Sequence, residues 1–277
     1  MLRLILGTDW IENREAVLRL IAGEVKKGIP GQILMVPELI SHDTERRLAA
    51  AAGDTSSRYA QVLTFSRLAQ RVCEYTGRGL DQAMDAGGRV VAMASAARQL
   101  SGVLKAYASV ETNPEFLSDL VEAVDEFKRC CITAQDLLRA SKESTGSFAQ
   151  KLQELSLLME TYDALCAQGK RDPRDQMNLL LELLEDSDFA ANHTLYVDGF
   201  PDFTRQHFNI LAHFISSAPL VTVCLCCDRP GSELLAYEKA GETANMLIRY
   251  AKQNGVSVEV VTVPGRREDL LHTVRCS

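Results

Sequence analysis

Long hydrophobic runs are missing from this 277-residue sequence. No apolar stretch approaches the roughly 20 residues that cross a bilayer as a helix. The apolar start, Met1 to Gly7, is too short for a secretory signal and reads as a strand. A cytoplasmic protein with no membrane partner is expected. A second Cys-x-x-Cys pair is also missing. The only such spacing among the eight cysteines is Cys224 to Cys227, inside the apolar run Leu220 to Cys227. A strand sends these two side chains to opposite faces, which makes a poor chelate, so buried thiols in a reducing compartment are expected and no metal site. The histidines at 42, 193, 207, 213 and 272 are scattered, with no His/Asp/Ser or His/Cys arrangement, and read as structural. A continuous basic stripe that would grip a phosphate backbone is lacking too. The net charge is -7, and the acidic excess sits in the middle of the chain. Residues 1–80 carry 11 basic and 9 acidic side chains, 81–190 carry 11 and 19, and 191–277 carry 8 and 9. Any DNA contact therefore belongs to the outer thirds.

What is present is an interrupted α/β pattern. Leu2 to Leu6, Ile33 to Val36 and Gln61 to Thr64 read as strands, each followed by a helix: about Asn13 to Lys27, Ser41 to Ala52, and Ser66 to Gly77. From about Asp81 to Asp188 the periodicity is helical and no strand is expected. Asn113-Pro114-Glu115 marks a helix start, and Thr133 with Asp136 resembles a capping box. Phe148, Leu152, Leu155, Met159, Tyr162 and Leu165 form one apolar stripe, the core of a helix bundle. Strands then resume at Thr194 to Val197, Leu220 to Cys227 and Val256 to Val263, with helices at Asp202 to Ser217 and Leu235 to Asn254. The expectation is an α/β parallel-sheet domain of the P-loop NTPase-like kind (residues 1–80 and 191–277), interrupted by an all-α insertion (residues 81–190).

Two places could carry chemistry. A phosphate-binding loop needs G-x-x-x-x-G-K-[ST] between a strand and a helix, so that backbone N–H groups and the lysine hold phosphates while the hydroxyl holds Mg²⁺. At that spacing Gly7 supplies the first glycine, but Glu12, Asn13 and Arg14 stand where the second glycine, the lysine and the hydroxyl belong. Asp9 adds a further carboxylate. Two carboxylates repel phosphates, and Arg14 offers charge only from the helix, so the loop reads as degenerate. The second place is Leu195 to Asp202, LYVDGFPD, an apolar strand ending in aspartate like a Walker B motif. Gly199 follows Asp198 where a water-positioning glutamate is usual. In the plainer reading Asp198 ends a strand and Asp202 caps the next helix.

The Val197–Asp202 segment resembles the V-D-E-F-Q-D motif of UvrD-type superfamily 1 helicases without its glutamate. Ile33 to Glu38 (ILMVPE) and Val62 to Ala69 (VLTFSRLA) resemble that superfamily's two DNA-contacting motifs. Together with YVDGF, these forms are similar to the AddB/RexB family, the second subunit of bacterial AddAB (RexAB) helicase–nucleases, over residues 1 to about 263. The resemblance implies a superfamily 1 helicase 1A-like domain with a 1B-like insertion. It also implies a role in DNA double-strand break repair and recombination, as part of a heterodimer with an AddA-like helicase–nuclease subunit that resects DNA ends. It implies DNA contact, single-stranded or at a duplex end, through Pro37, Glu38, Thr64, Ser66 and Arg67. Mg²⁺, a nuclease domain and an iron–sulfur cluster belong to the family's C-terminal part, so no cofactor is expected in this segment. Family members commonly keep the glycine–lysine loop, and a Gln where this chain has Leu39. The end at Cys276-Ser277, straight after a strand and loop, is expected to be an excision point in a longer protein.

The leading expectation is a non-catalytic helicase-like module within an ATP-dependent helicase/exodeoxyribonuclease. Two others stand beside it: a working P-loop ATPase or small-molecule kinase, and a pure protein-interaction scaffold.

Overall fold

A computed structural model describes residues 1–53, 55–78, 84–108, 113–168 and 172–265. Expectations resting on Asp81, His272 and Cys276-Ser277 lie outside the described residues. Six strands form one sheet: β1 (Leu2–Gly7), β2 (Gln32–Met35), β3 (Ala60–Leu63), β4 (Thr194–Val197), β5 (Val221–Cys226) and β6 (Val258–Thr262). Their order is β3-β2-β4-β5-β1-β6, and every pairing is parallel. In β1 every side chain except Arg3 is buried, which suits an inner strand of a parallel sheet covered on both faces. The α/β class expected from the sequence is the one observed.

The crossovers begin with α1 (Trp10–Lys26), α2 (Ser41–Ala52) and α3 (Phe65–Thr76). Val17, Leu18 and Ile21 of α1 and Leu48 of α2 pack with Leu34, Val62, Tyr196 and Cys224 of the sheet. Burying each such aliphatic side chain contributes about 1.5–3 kcal/mol. Thr64 caps α3 by accepting from the Arg67 N–H, and Gly77 closes it in the left-handed region at φ 70°.

The middle of the chain is helical: α4 (Ala86–Gln99), α5 (Pro114–Arg129), α6 (Ala134–Glu143), α7 (Gly146–Ala167) and α8 (Gln176–Glu185). Asn113 caps α5 with Pro114 at its first position, and Thr133 with Asp136 forms a full capping box. The bundle core gathers Met93, Ala96, Leu117, Leu120, Met159 and Tyr162. Phe148 is a correction: it heads the apolar stripe in sequence yet is 61 % exposed on the first turn of α7. After β4 come α9 (Arg205–Ser217) and α10 (Glu238–Gln253).

The chain divides into two compact units. One comprises Met1–Arg78, Leu180–Phe203 and His207–Ser277, and the other Gly79–Leu179 with Thr204–Gln206. The return to the sheet unit therefore falls inside α8, earlier than the break at 190 read from the sequence. Leu180, Leu183 and Leu184 are the buried residues of that half of α8.

Part of the acidic excess of the middle segment is internal. Arg89 pairs with Asp125 and Asp172, and Lys128 Nζ lies 2.7 Å from Asp163, 3.2 Å from Asp172 and 2.7 Å from Asp175. The Tyr162 hydroxyl donates to Asp172 at 2.9 Å. Burial pushes the Asp163 carboxyl above its ordinary value, although Lys128 opposes this. Elsewhere in the bundle the buried Glu154 carboxylate accepts the backbone N–H groups of Lys105, Ala106 and Tyr107, which fastens that loop to α7.

Candidate functional site

Ligands of open α/β sheets bind beyond the carboxyl ends of the strands, where the strand order reverses. Here that place lies beyond β1, β2, β4 and β5, and a cavity of about 600 Å³ is found there. Its walls include Asn13 and Arg14 of α1, Pro37 after β2, Asp198 and Gly199 after β4, and Cys224 of β5.

The turn entering this cavity is shorter than a phosphate-binding loop. Only Thr8 and Asp9 separate β1 from α1, because the Asp9 carboxylate accepts the Ile11 N–H and starts the helix at Trp10. Glu12, expected in the loop, and Asn13, expected at the helix start, are therefore both in the first turn of α1. One of the N–H groups that would face a phosphate, that of Ile11, is taken by the capping carboxylate instead. Asn13 turns inward: its Nδ2 donates to the carbonyls of Gly7 at 2.9 Å and Leu225 at 3.4 Å. Its Oδ1, buried without a hydrogen-bond partner among the described residues, presses on Gly7, where a Cβ would collide with it. The asparagine thus occupies the hollow that only a glycine leaves open.

Arg14 and Asp198 meet. Arg14 Nε donates to Asp198 Oδ2 at 2.7 Å, both side chains are buried, and the guanidinium also lies 5.3 Å from the centre of the Trp10 ring. In a motor ATPase the residues at these two positions share Mg²⁺. Here a fixed cation on one satisfies the anion on the other. Sequence reasoning placed both residues but missed their pairing, which is a contact across 184 positions. Burial, then the neighbouring Asp198 carboxylate, pushes the Cys224 thiol up. Cys227 is buried too, and among the described residues no group of His, Cys, Asp and Glu is arranged to hold a metal ion.

Gly199 has φ 84°, and a Cβ there would meet Ile40 Cδ1 at 2.8 Å and Pro37 Cδ at 3.1 Å. The missing glutamate is thus a backbone matter as well. A Gly199→Glu variant is expected to lose about 1–3 kcal/mol from the left-handed conformation alone, more with the clash, and to gain no ATPase activity. Thermal melts followed by Trp10 fluorescence, with a phosphate-release assay, check this; an unchanged melting temperature would contradict it. Asp202 is not the cap of the following helix, which starts at Arg205; it pairs with Lys239 at 2.7 Å instead.

A family model described as "ADDB, N-terminal" matches residues 4–272. The chain belongs to this family. Curated relatives are AddB-type subunits of the ATP-dependent helicase/deoxyribonuclease. The one from Oceanobacillus iheyensis is 28 % identical over 273 residues, covering 93 % of this chain and 23 % of that protein. The one from Heliobacterium modesticaldum is 29 % identical over 281 residues, 96 % of this chain and 23 % of the relative. That of Desulforamulus reducens is 30 % identical over 243 residues, 84 % and 21 %. The chain spans less than a quarter of the length of these relatives.

In this AddB-family chain the residues expected to touch DNA fall on neighbouring strand ends, after β2 and β3. Pro37 is half-buried and Glu38 exposed. Ser66 and Arg67 are exposed on the first turn of α3, whereas Thr64 is buried and its hydroxyl is used as the helix cap. Arg67 is engaged with Glu45 of α2, at 2.5 Å. Sequence reasoning passed over the aromatic group beside them. Phe65 stacks on His207 with ring centres 3.9 Å apart and meets Phe200 edge-on at 5.6 Å. Burial brings the His207 imidazole down to about 4, so it is neutral near pH 7.

Proposed function

We propose that this chain is a helicase-like module that does not hydrolyse nucleotide, in the N-terminal part of a DNA helicase–nuclease subunit acting in double-strand break repair. In this reading it contributes DNA contact and assembly with an AddA-like subunit. The observation that carries the non-hydrolysing part is the buried Arg14–Asp198 pair. A magnesium nucleotide does not fit these residues: Asp198 is neutralised by a guanidinium, Arg14 replaces the metal-binding hydroxyl, and Asn13 has no charge to offer a phosphate. The Asp9 carboxylate at the start of α1 would repel one. No catalytic step is therefore assigned to the site, and its ion pair acts as a clamp between α1 and the end of β4.

For DNA, the reading rests on the family and on Ser66 and Arg67, a hydroxyl and a guanidinium at a helix N-terminus, groups that commonly bind phosphates. Mg·ATP is expected to give no saturable binding up to millimolar concentration. Fluorescently labelled single-stranded and forked DNA is expected to bind at low salt and to be released as salt rises. Arg67→Ala is expected to weaken that binding several-fold. Micromolar Mg·ATP affinity would restore the working-ATPase reading. Absence of DNA binding at low salt, with Arg67→Ala silent in the assembled complex, would leave the scaffold reading.

A further inference from the structure

A second cavity, of about 230 Å³, lies at the opposite ends of the strands, where β2 and β3 begin and just before β4. Its charged lining residues are two arginines, Arg58 and Arg71, and among the described residues no carboxylate lines it. Arg58 forms no ion pair or hydrogen bond through its guanidinium with any described residue. Arg71 has a single contact among them, 3.5 Å to Glu74 one turn along α3. Gln61 and Tyr59 also line the cavity and bring an amide and a phenol that are unused among the described residues. Gln32 lines it as well, its amide used by the Pro30 carbonyl and the Tyr196 hydroxyl, and the remaining polar wall is His193. Its Nδ1 is engaged by the Phe189 carbonyl at 2.7 Å, and its ring stacks on Phe189. Several other arginines of the sheet unit are neutralised: Arg14 by Asp198, Arg46 and Arg47 by Asp43, Arg67 by Glu45.

From this we infer that the cavity between Arg58, Arg71 and His193 is an oxyanion site that takes a phosphoryl group. Guanidinium forks match the geometry of phosphate oxygens and hold them in paired hydrogen bonds. A water's share of liquid volume is about 30 Å³, so the space holds a tetrahedral anion with a few waters. Burial holds the His193 imidazole below its ordinary value; the Phe189 carbonyl and the Asp188 carboxylate oppose this, and the Arg71 guanidinium adds to it. The site is separate from the β1–α1 turn and from Ser66 and Arg67. The phosphate source is either a phosphodiester of a nucleic acid or a free phosphate; the first source rests on the DNA reading above, and the site itself does not.

Titration with inorganic phosphate, followed by the NMR signals of the His193 ring, is expected to give a saturable shift and a raised imidazole pKa. Arg58→Gln and Arg71→Gln are each expected to weaken phosphate at least tenfold, while Arg46→Gln, a change outside the cavity, leaves it unchanged. With labelled single-stranded DNA, loss of either cavity arginine is expected to lower the salt slope of binding by about one if a phosphodiester is the ligand. A phosphate shift with unchanged DNA binding identifies free phosphate as the ligand. If phosphate does not move His193, or if both arginine variants bind it as the parent does, the site is refuted. Far-UV circular dichroism of each variant, expected to match the parent, keeps misfolding from imitating that result.

Discussion

Replacing Lys128 with methionine is expected to cost about 3–5 kcal/mol, the usual penalty for leaving a buried charge without its partner. Lys128 reaches Asp163, Asp172 and Asp175, and the Asp172 side chain is wholly inaccessible to solvent. Without the ammonium, these carboxylates stand together with Arg89 as the remaining cation of the cluster. The Asp163 carboxyl, already held above its unfolded value by burial, rises further once Lys128 no longer opposes this. Such groups contribute stability that is present below the unfolded pKa and lost as pH rises through the folded pKa. The deficit of the variant should therefore be largest near pH 7 and shrink toward pH 4. Hydrogen exchange of the α5 and α7 amides across that pH range measures it directly. A Lys128→Met protein whose α5 and α7 exchange as slowly as the parent's at pH 7 would show that the cluster tolerates the loss.

Arg14→Ala is expected to have a comparable effect on the sheet unit, again about 3–5 kcal/mol, because Asp198 stays buried and loses the guanidinium that neutralises it. The change also removes the guanidinium from the face of Trp10, the only tryptophan in the sequence, so fluorescence reports the site and its unfolding together. The distinguishing outcome is the double variant. Arg14→Ala with Asp198→Ala removes both charges and should recover part of the loss, leaving mainly the cavity cost. If the two losses simply add, the pair is not a clamp. If Arg14→Ala instead opens a Mg²⁺ site at Asp198, seen as stabilisation by millimolar Mg²⁺, the arginine is standing in for the metal in the most literal sense.

These two clusters mark where sequence reading stopped. The helix boundaries with a local chemical signal were legible: Asn113-Pro114 and Thr133 with Asp136 are both used as expected. The start of α1 was misread by three residues because Asp9, weighed only as a charge hostile to phosphate, is its cap. The helix after β4 begins at Arg205, not at Asp202, and that aspartate pairs with Lys239 on α10. Phe148 obeys the periodicity of its stripe yet faces solvent at the start of α7. Periodicity says which face a residue is on, not whether that stretch of the face is covered.

By itself the sequence determined what depends on neighbours along the chain. Apolar runs bounded by turn residues set the strands, caps set the helix starts at Asn113 and Thr133, and the departures at Glu12, Asn13 and Gly199 were plain from spacing alone. What the sequence could not decide was who pairs with whom. Arg14 finds Asp198 because the β1–α1 and β4–α9 junctions lie at the same end of one sheet. Lys128 finds Asp172 because α5 and the segment leading into α8 close on one bundle core. Asn13 fills the hollow beside Gly7 only because α1 starts early enough to aim it there. Each of these is a buried polar contact, whose worth depends on exclusion from water, and that exclusion exists only once the tertiary structure has closed around it.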